Sequence, residues 1–159
     1  MSDFTIRCAT SGDEDVILAL LHDLAEYEKL LDKFHITREV IARDYLSAQP
    51  LCQCDLIFDG EEAAGIATWR WTYATFAAAR SIYLEDLFVR PAFRGRGYGK
   101  ALLVHLAKTA AEAGAVRVEW QVLDWNKPSI DFYEGIGARP VGGWLTYRLE
   151  GDALKKAAK

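Results

Sequence analysis

Long apolar runs are missing from this chain. No stretch approaches the ~20 residues that would span a bilayer, and nothing in the opening "MSDFTIRCAT" resembles a signal peptide. The expectation is a soluble, cytoplasmic protein with no membrane partner. An excess of positive charge is missing too: 19 Lys and Arg against 23 Asp and Glu give a formal net charge of -4, which argues against broad nucleic-acid binding. Cysteine is scarce and odd in number, at three residues. Cys52 and Cys54 alternate within a strand-like run, and no C-x-x-C pair is available for a tetrahedral zinc site, so reduced, buried thiols and no bound metal are expected. The three histidines, His22, His35 and His105, share no short ligand spacing. Repeats, low-complexity segments and linkers are also lacking. What is there, 159 residues of which 51% are hydrophobic and 26% charged, suits one domain covering 1–159 with a real core.

Hydrophobic periodicity predicts alternating elements of mixed type. A short strand over Phe4–Cys8 leads into "SGDEDVILALLHDLAEYEKLL", where Ser11 and Glu14 stand in capping-box positions and Ile17, Leu20, Leu21, Leu24 and Leu31 follow at helical spacing. A second helix is expected from Thr37 to about Leu46, with Pro50 marking its end. "CQCDLIFDGEEAAGIATWRW" then reads as a hairpin about Asp59-Gly60. The strand "SIYLEDLFV", a helix over 97–113, the strand "AVRVEWQVL", a helix over 128–136 and the strand "WLTYRL" complete the order, an α/β (α+β) arrangement with antiparallel hairpins first and a strand-helix-strand unit in the middle.

The stretch "LFVRPAFRGRGYGKALLVHL" concentrates positive charge within an acidic chain. A strand ends, glycines follow and a helix begins, so unpaired N–H groups and the positive end of a helix dipole face one spot. Glycine lets a phosphate approach the backbone without meeting a Cβ. Arg90, Arg94, Arg96 and Lys100 add charge, and a pyrophosphate fits such a site. The P-loop pattern is excluded because Ala101 follows Lys100, and the dinucleotide fingerprint because the glycines fall at 95, 97 and 99.

"RGRGYG" is similar to the [QR]-x-x-G-x-[GA] signature of the GNAT acyltransferase superfamily, preceded by the strand "YLEDLFV". "NKPSIDFYEGIGA" resembles that superfamily's late N-x-x-[AS] segment. Together with "LAEYEKL", these motifs resemble the diamine (spermidine/spermine) acetyltransferase branch almost end to end. The resemblance implies a central mixed, mainly antiparallel twisted sheet flanked by helices. It also implies acetyl-CoA as co-substrate, a small-molecule primary amine as acceptor, and a homodimer. Residue by residue, it implies that backbone groups of Leu87, Phe88 and Val89 run beside the pantetheine arm. Arg94, Gly95, Arg96, Gly97, Tyr98, Gly99 and Lys100 hold the pyrophosphate, and Asn126, Lys127, Pro128 and Ser129 contact CoA. Tyr133 matches the catalytic tyrosine that protonates the departing thiolate.

An alkylamine has a pKa of ~10.4, so an acceptor arrives as a cation and must lose a proton before attacking. Acidic residues suit both tasks. Glu85 matches the family's substrate-side acid. Tyr27 and Glu28 match a second substrate contact, and Glu119, Trp120 and Gln121 a third. Strand alternation places Glu85 and its neighbour Asp86 on opposite faces. The chain departs from the branch in "TYATFAAAR", residues 72–80, and in "PVGGW", where Gly142 stands at the place of a substrate-contact acid. Peptide N-acetylation and a non-catalytic CoA-binding module remain alternatives to transfer onto a small amine.

Overall fold

In the computed structural model, which describes residues 3–159, the chain divides into two compact units, Met1–Gln121 and Val122–Lys159. The first holds a five-stranded sheet in sequence order: β1 (Phe4–Cys8), β2 (Gln53–Asp59), β3 (Glu62–Ala74), β4 (Ala79–Val89) and β5 (Val118–Trp120). The first four strands are antiparallel neighbours, and β5 joins β4 in parallel. Helices α1 (Glu14–Tyr27) and α2 (Arg38–Asp44) precede β2, and α3 (Tyr98–Glu112) bridges β4 to β5.

The apolar stripe of α1 is buried as its spacing requires: Ile17, Leu20, Leu21 and Leu24 pack with Ile41 of α2 and with Leu56, Ile66 and Phe88 of the sheet. Each such side chain contributes roughly 1.5–3 kcal/mol by leaving water. The start of α1 differs from the expected capping box. Asp13 occupies the N-cap without a side-chain cap bond, because its carboxylate accepts instead from Arg7 at 2.7 and 2.9 Å and from the Thr10 amide at 2.7 Å. Glu14 reaches back to the amide of Gly12 at 2.9 Å. Helix α2 starts where expected, with Thr37 as its cap accepting from the Val40 amide at 3.3 Å, but it ends at Asp44, ahead of Leu46 and Pro50.

The β2–β3 hairpin closes on the Asp59–Glu62 pair, with Gly60 at φ +60°. Farther along β3, Gly65 is required by packing, since a Cβ there would stand 2.5 Å from the Phe88 carbonyl oxygen. Buried Asp55 on β2 accepts from Trp69 Nε1 at 2.7 Å and from Cys8 Sγ at 3.3 Å, with His105 of α3 at 3.6 Å. The cysteines are free, yet only Cys54 is fully buried; Cys52 is half-buried and Cys8 is exposed at the sheet edge.

The predicted strand over 115–123 shortens to three residues, because β5 pairs with β4 only from Ile82–Val118 to Leu84–Trp120. In the second unit, α4 (Lys127–Gly135) and α5 (Gly151–Ala157) are helical. The predicted strand at Trp144–Leu149 forms no ladder among the described residues. Its apolar side chains are exposed, Trp144 at 84% and Tyr147 at 88%. Alternation suits a pleat, but a strand exists only where a neighbour takes up its backbone hydrogen bonds.

Candidate active site

Two features of the first unit meet at the end of β4. Pairing with β5 stops at Leu84, while β4 continues to Val89 hydrogen-bonded to β3 alone, with Ala67 opposite Leu87, Ile66 opposite Phe88 and Gly65 opposite Val89. One edge of Leu87, Phe88 and Val89 is therefore left without a strand ladder, and an extended ligand can pair there as an added strand. Directly beyond, a short turn at Pro91–Phe93 leads to Gly95 at φ +77° and Gly97 at φ +85°. Gly97 is the N-cap of α3 and supplies no side-chain cap, so the first amides of a 15-residue helix remain available to an anion. Apart from their own chain neighbours, no atom of the described residues lies within 4 Å of where a Cβ on Gly95 or Gly97 would stand. The strand edge, the left-handed glycines and the uncapped helix start fit the pantetheine and pyrophosphate of CoA.

The loop cations are more committed than the sequence suggests. Arg90 pairs with Asp23 at 3.1 Å and donates to the Ala63 carbonyl at 3.1 Å. Arg94 donates to the Val89 carbonyl at 3.0 Å and lies over the rings of Tyr27 and Phe88, which ties the loop to the end of α1. Arg96 pairs with Asp59 at 2.6 Å. Tyr98 is buried, its ring against Phe4 and Phe93, and so acts in the core rather than as an exposed contact. Lys100 is left exposed on the second position of the helix after Tyr98.

Upstream on β4 the expected alternation fails. The register slips where Thr68 pairs with Asp86 but Trp69 pairs with Leu84, leaving Glu85 as the extra residue of a β-bulge. A bulge turns the side chain that alternation would send away. Glu85 forms an ion pair with Arg70, and Asp86 accepts from Thr68, two residues earlier on β3. Both carboxylates therefore meet one face of β3, which corrects the expectation that they face opposite sides. Tyr83, opposite Arg70, pairs on its other side with Glu119 of β5. The Arg70 guanidinium lies 4.4 Å from the Tyr83 ring centroid, and Glu119 is held by Arg117 at 2.9 Å.

Glu28 caps the C-terminus of α1 and is half-buried. Burial, reinforced by the charge of Asp86, holds its carboxyl above the usual range. Burial also raises Asp86, against the opposing hydrogen bond from Thr68 and with help from Glu85. Nearby, burial pushes the Cys52 thiol up to about 11 and raises the Tyr45 phenol, with Glu85 and Asp86 adding to both. The geometry thus brings together Glu28, Glu85 and Glu119 of the sequence-based set and adds Arg70, Asp86, Thr68, Tyr83, Tyr45 and Cys52. A lone arginine between Trp69 and Trp71 was the one sequence signal for this enlarged cluster.

These raised carboxyls have a consequence for stability. Such a group keeps its proton in the folded state at pH values where the unfolded chain has lost it. The stability it confers is full below the ordinary carboxylate pKa and is lost as pH rises through the elevated one. Asp86→Asn is expected to raise Tm at neutral pH by about 2–4 °C, the change that accompanies ~1 kcal/mol in a chain of this length. Thermal unfolding across pH should show that gain shrinking towards acid; a gain that grows towards acid contradicts the assignment.

In the second unit, buried Asn126 caps α4 by accepting from the Ser129 amide at 3.4 Å. Pro128 sits in the first turn, where its missing N–H costs nothing. Lys127 pairs with Asp131 at 2.7 Å. Tyr133 follows Ser129 by about one helical turn, its ring 5.4 Å from that of Phe132. Trp120 ends β5, and Gln121 follows it as the last residue of the first unit.

A mixed sheet whose last strand pairs with β4 over only three residues, beside an uncapped glycine helix start, fits an acyl-CoA-dependent transferase. The acetyltransferase (GNAT) family matches residues 18–138, and the chain belongs to it. It is 35% identical over 170 residues to thialysine N-epsilon-acetyltransferase of Sus scrofa, with 99% of both chains covered. It is 30% identical over 200 residues to an L-ornithine N5-acetyltransferase of Arabidopsis thaliana, covering 97% of this chain and 87% of the other. Among solved structures, an integron cassette protein from V. cholerae superposes with a TM-score of 0.84 at 26% identity, covering 100% of this chain and 99% of that one. The chain is an acetyl-CoA-dependent N-acetyltransferase.

Proposed function

We propose that the chain moves the acetyl group of acetyl-CoA onto the primary amine of a small cationic acceptor by direct attack on the thioester. The observation that carries this reading is the bulge at Glu85, which turns two adjacent carboxylates toward one face beside the unpaired end of β4. Carboxylates on that face attract the ammonium, and Glu85, directly or through a water, takes its proton. The free amine attacks the carbonyl carbon, the C–S bond breaks, the thiolate takes the phenolic proton of Tyr133, and the second proton of the attacking nitrogen, released through solvent as the amide forms, restores the tyrosine. In this reading Leu87, Phe88 and Val89 align the pantetheine. The loop from Arg94 to Lys100 holds the pyrophosphate, and residues 126–129 complete the CoA contacts. Tyr27, Glu28, Glu119, Trp120 and Gln121 face the acceptor. The thialysine and ornithine enzymes among the relatives support an acceptor of that size. A homodimer belongs to the same reading, supported by the exposed apolar run from Val141 to Leu149.

Small diamines and amino-acid amines are expected to be better acceptors than spermine, because Gly142 supplies no carboxylate for the far end of a polycation. One charge contact is worth ~1 kcal/mol, hence roughly tenfold in preference. Comparing kcat/KM for spermine, spermidine, putrescine, thialysine and lysine tests this. Leadership by spermine, with Gly142→Glu leaving the ranking unchanged, would refute it.

A further inference from the structure

An acidic face explains the capture of an ammonium but not the presence of an arginine within it. Arg70 stands on β3 opposite Tyr83, which stands opposite Glu119 on β5. These three residues form one row across the sheet, with about 5 Å per strand step. The guanidinium carbon lies over the Tyr83 ring, 4.4 Å from its centroid, which holds the group against that ring. It uses Nη1 to hold Glu85, and its side chain is 46% exposed. Guanidinium carries five N–H donors in a fixed fork, and among the described residues those on Nε and Nη2 have no protein acceptor. A planar, accessible fork held over a ring in this way matches a carboxylate bidentately.

We propose that Arg70 recognises a carboxylate on the acceptor, so that the site selects amino acids with a side-chain ammonium over diamines of the same chain length. This rests on the acetyl-transfer reading above. The ammonium goes to the acidic cluster at the bulge, and the carboxylate goes to the open edge of the fork beside it. A diamine of equal length presents a second ammonium to Arg70, replacing attraction with repulsion. The difference between the two corresponds to tenfold to hundredfold in kcat/KM. Glu85 has a second role in this arrangement: it holds the guanidinium in place while remaining available to the amine.

Ornithine and putrescine, or lysine and cadaverine, differ only by the carboxylate. For the wild type, kcat/KM is expected to favour the amino acid of each pair by tenfold or more, and ornithine methyl ester to fall towards putrescine. In Arg70→Gln the ornithine to putrescine ratio should drop by at least tenfold, through a higher KM for ornithine and a rising rate with putrescine; Arg70→Lys should restore part of it. Equal losses with both acceptors would mean that Arg70 serves only to hold Glu85, and would overturn the proposal, as would a wild type that prefers putrescine or ignores the ester. The ester comparison needs no variant and stands even where Arg70→Gln folds poorly. Should no amine be acetylated, the acetyl-transfer reading falls. Calorimetric binding of ornithine and putrescine to the CoA-loaded wild type then decides the carboxylate preference on its own, equal affinities counting against it.

Discussion

Tyr133→Phe is expected to lower kcat by about 100-fold while leaving acetyl-CoA affinity within about twofold, since general-acid assistance is typically worth 10²-fold or more. The tyrosine lies on α4, a helix whose start is fixed by the Asn126 cap and by Pro128 in the first turn, so removing one hydroxyl leaves the helix intact. A phenol keeps its proton up to about pH 10 and a thiol ionises near pH 8.5. In the proposed mechanism the hydroxyl acts as the C–S bond breaks, not while the thioester is bound. A single-turnover measurement separates this step from product release. Unchanged single-turnover rates in the variant would remove Tyr133 from the chemistry.

Gly97→Val is the second large expected effect, this time on binding. Gly97 holds φ +85° at the N-cap of α3, a conformation that costs a β-branched residue about 1–3 kcal/mol. Its missing Cβ faces space that, apart from the chain neighbours, no atom of the described residues fills within 4 Å. Valine there both strains the turn and intrudes where a phosphate would approach the amides. Acetyl-CoA affinity measured by calorimetry should fall about 30-fold or more, as expected for a loss of ~2 kcal/mol, while the KM for amine changes little at saturating donor. Equal affinity in the variant would contradict the phosphate assignment. Arg96→Ala should weaken binding less, because Asp59 already engages that guanidinium.

The fold was legible where the pattern is local. The stripe on α1, the helix start near Thr37, the hairpin at Gly60 and the glycine start of α3 are all properties of neighbouring residues, and each appears where the sequence places it. The failures share a different cause. The bulge at Glu85 depends on how β3 and β4 register, and no glycine or proline marks it within "YLEDLFV". Strict alternation therefore separated two carboxylates that the sheet brings to one face. The shortening of β5 and the unladdered Trp144–Leu149 segment likewise depend on which partner strand is within reach. The cationic loop leads into α3 as its glycines suggest, but its charge is largely committed, since Asp23, Asp59 and the Val89 carbonyl, all distant in sequence or unmarked by any motif, already engage three of its four cations. Arg70 escaped notice because a single charge in an aromatic strand gains meaning only once Tyr83 and Glu85 are seen around it.

Release of CoA thiol from acetyl-CoA in the presence of a panel of primary amines, with the acetylated product identified by mass spectrometry, tests the central claim most directly. Amine-dependent thiol release, strongest with small amino-acid amines and suppressed in Tyr133→Phe, is the expected result. Tight acetyl-CoA binding with no thiol release for any amine would contradict the account and leave a CoA-binding module without transferase chemistry.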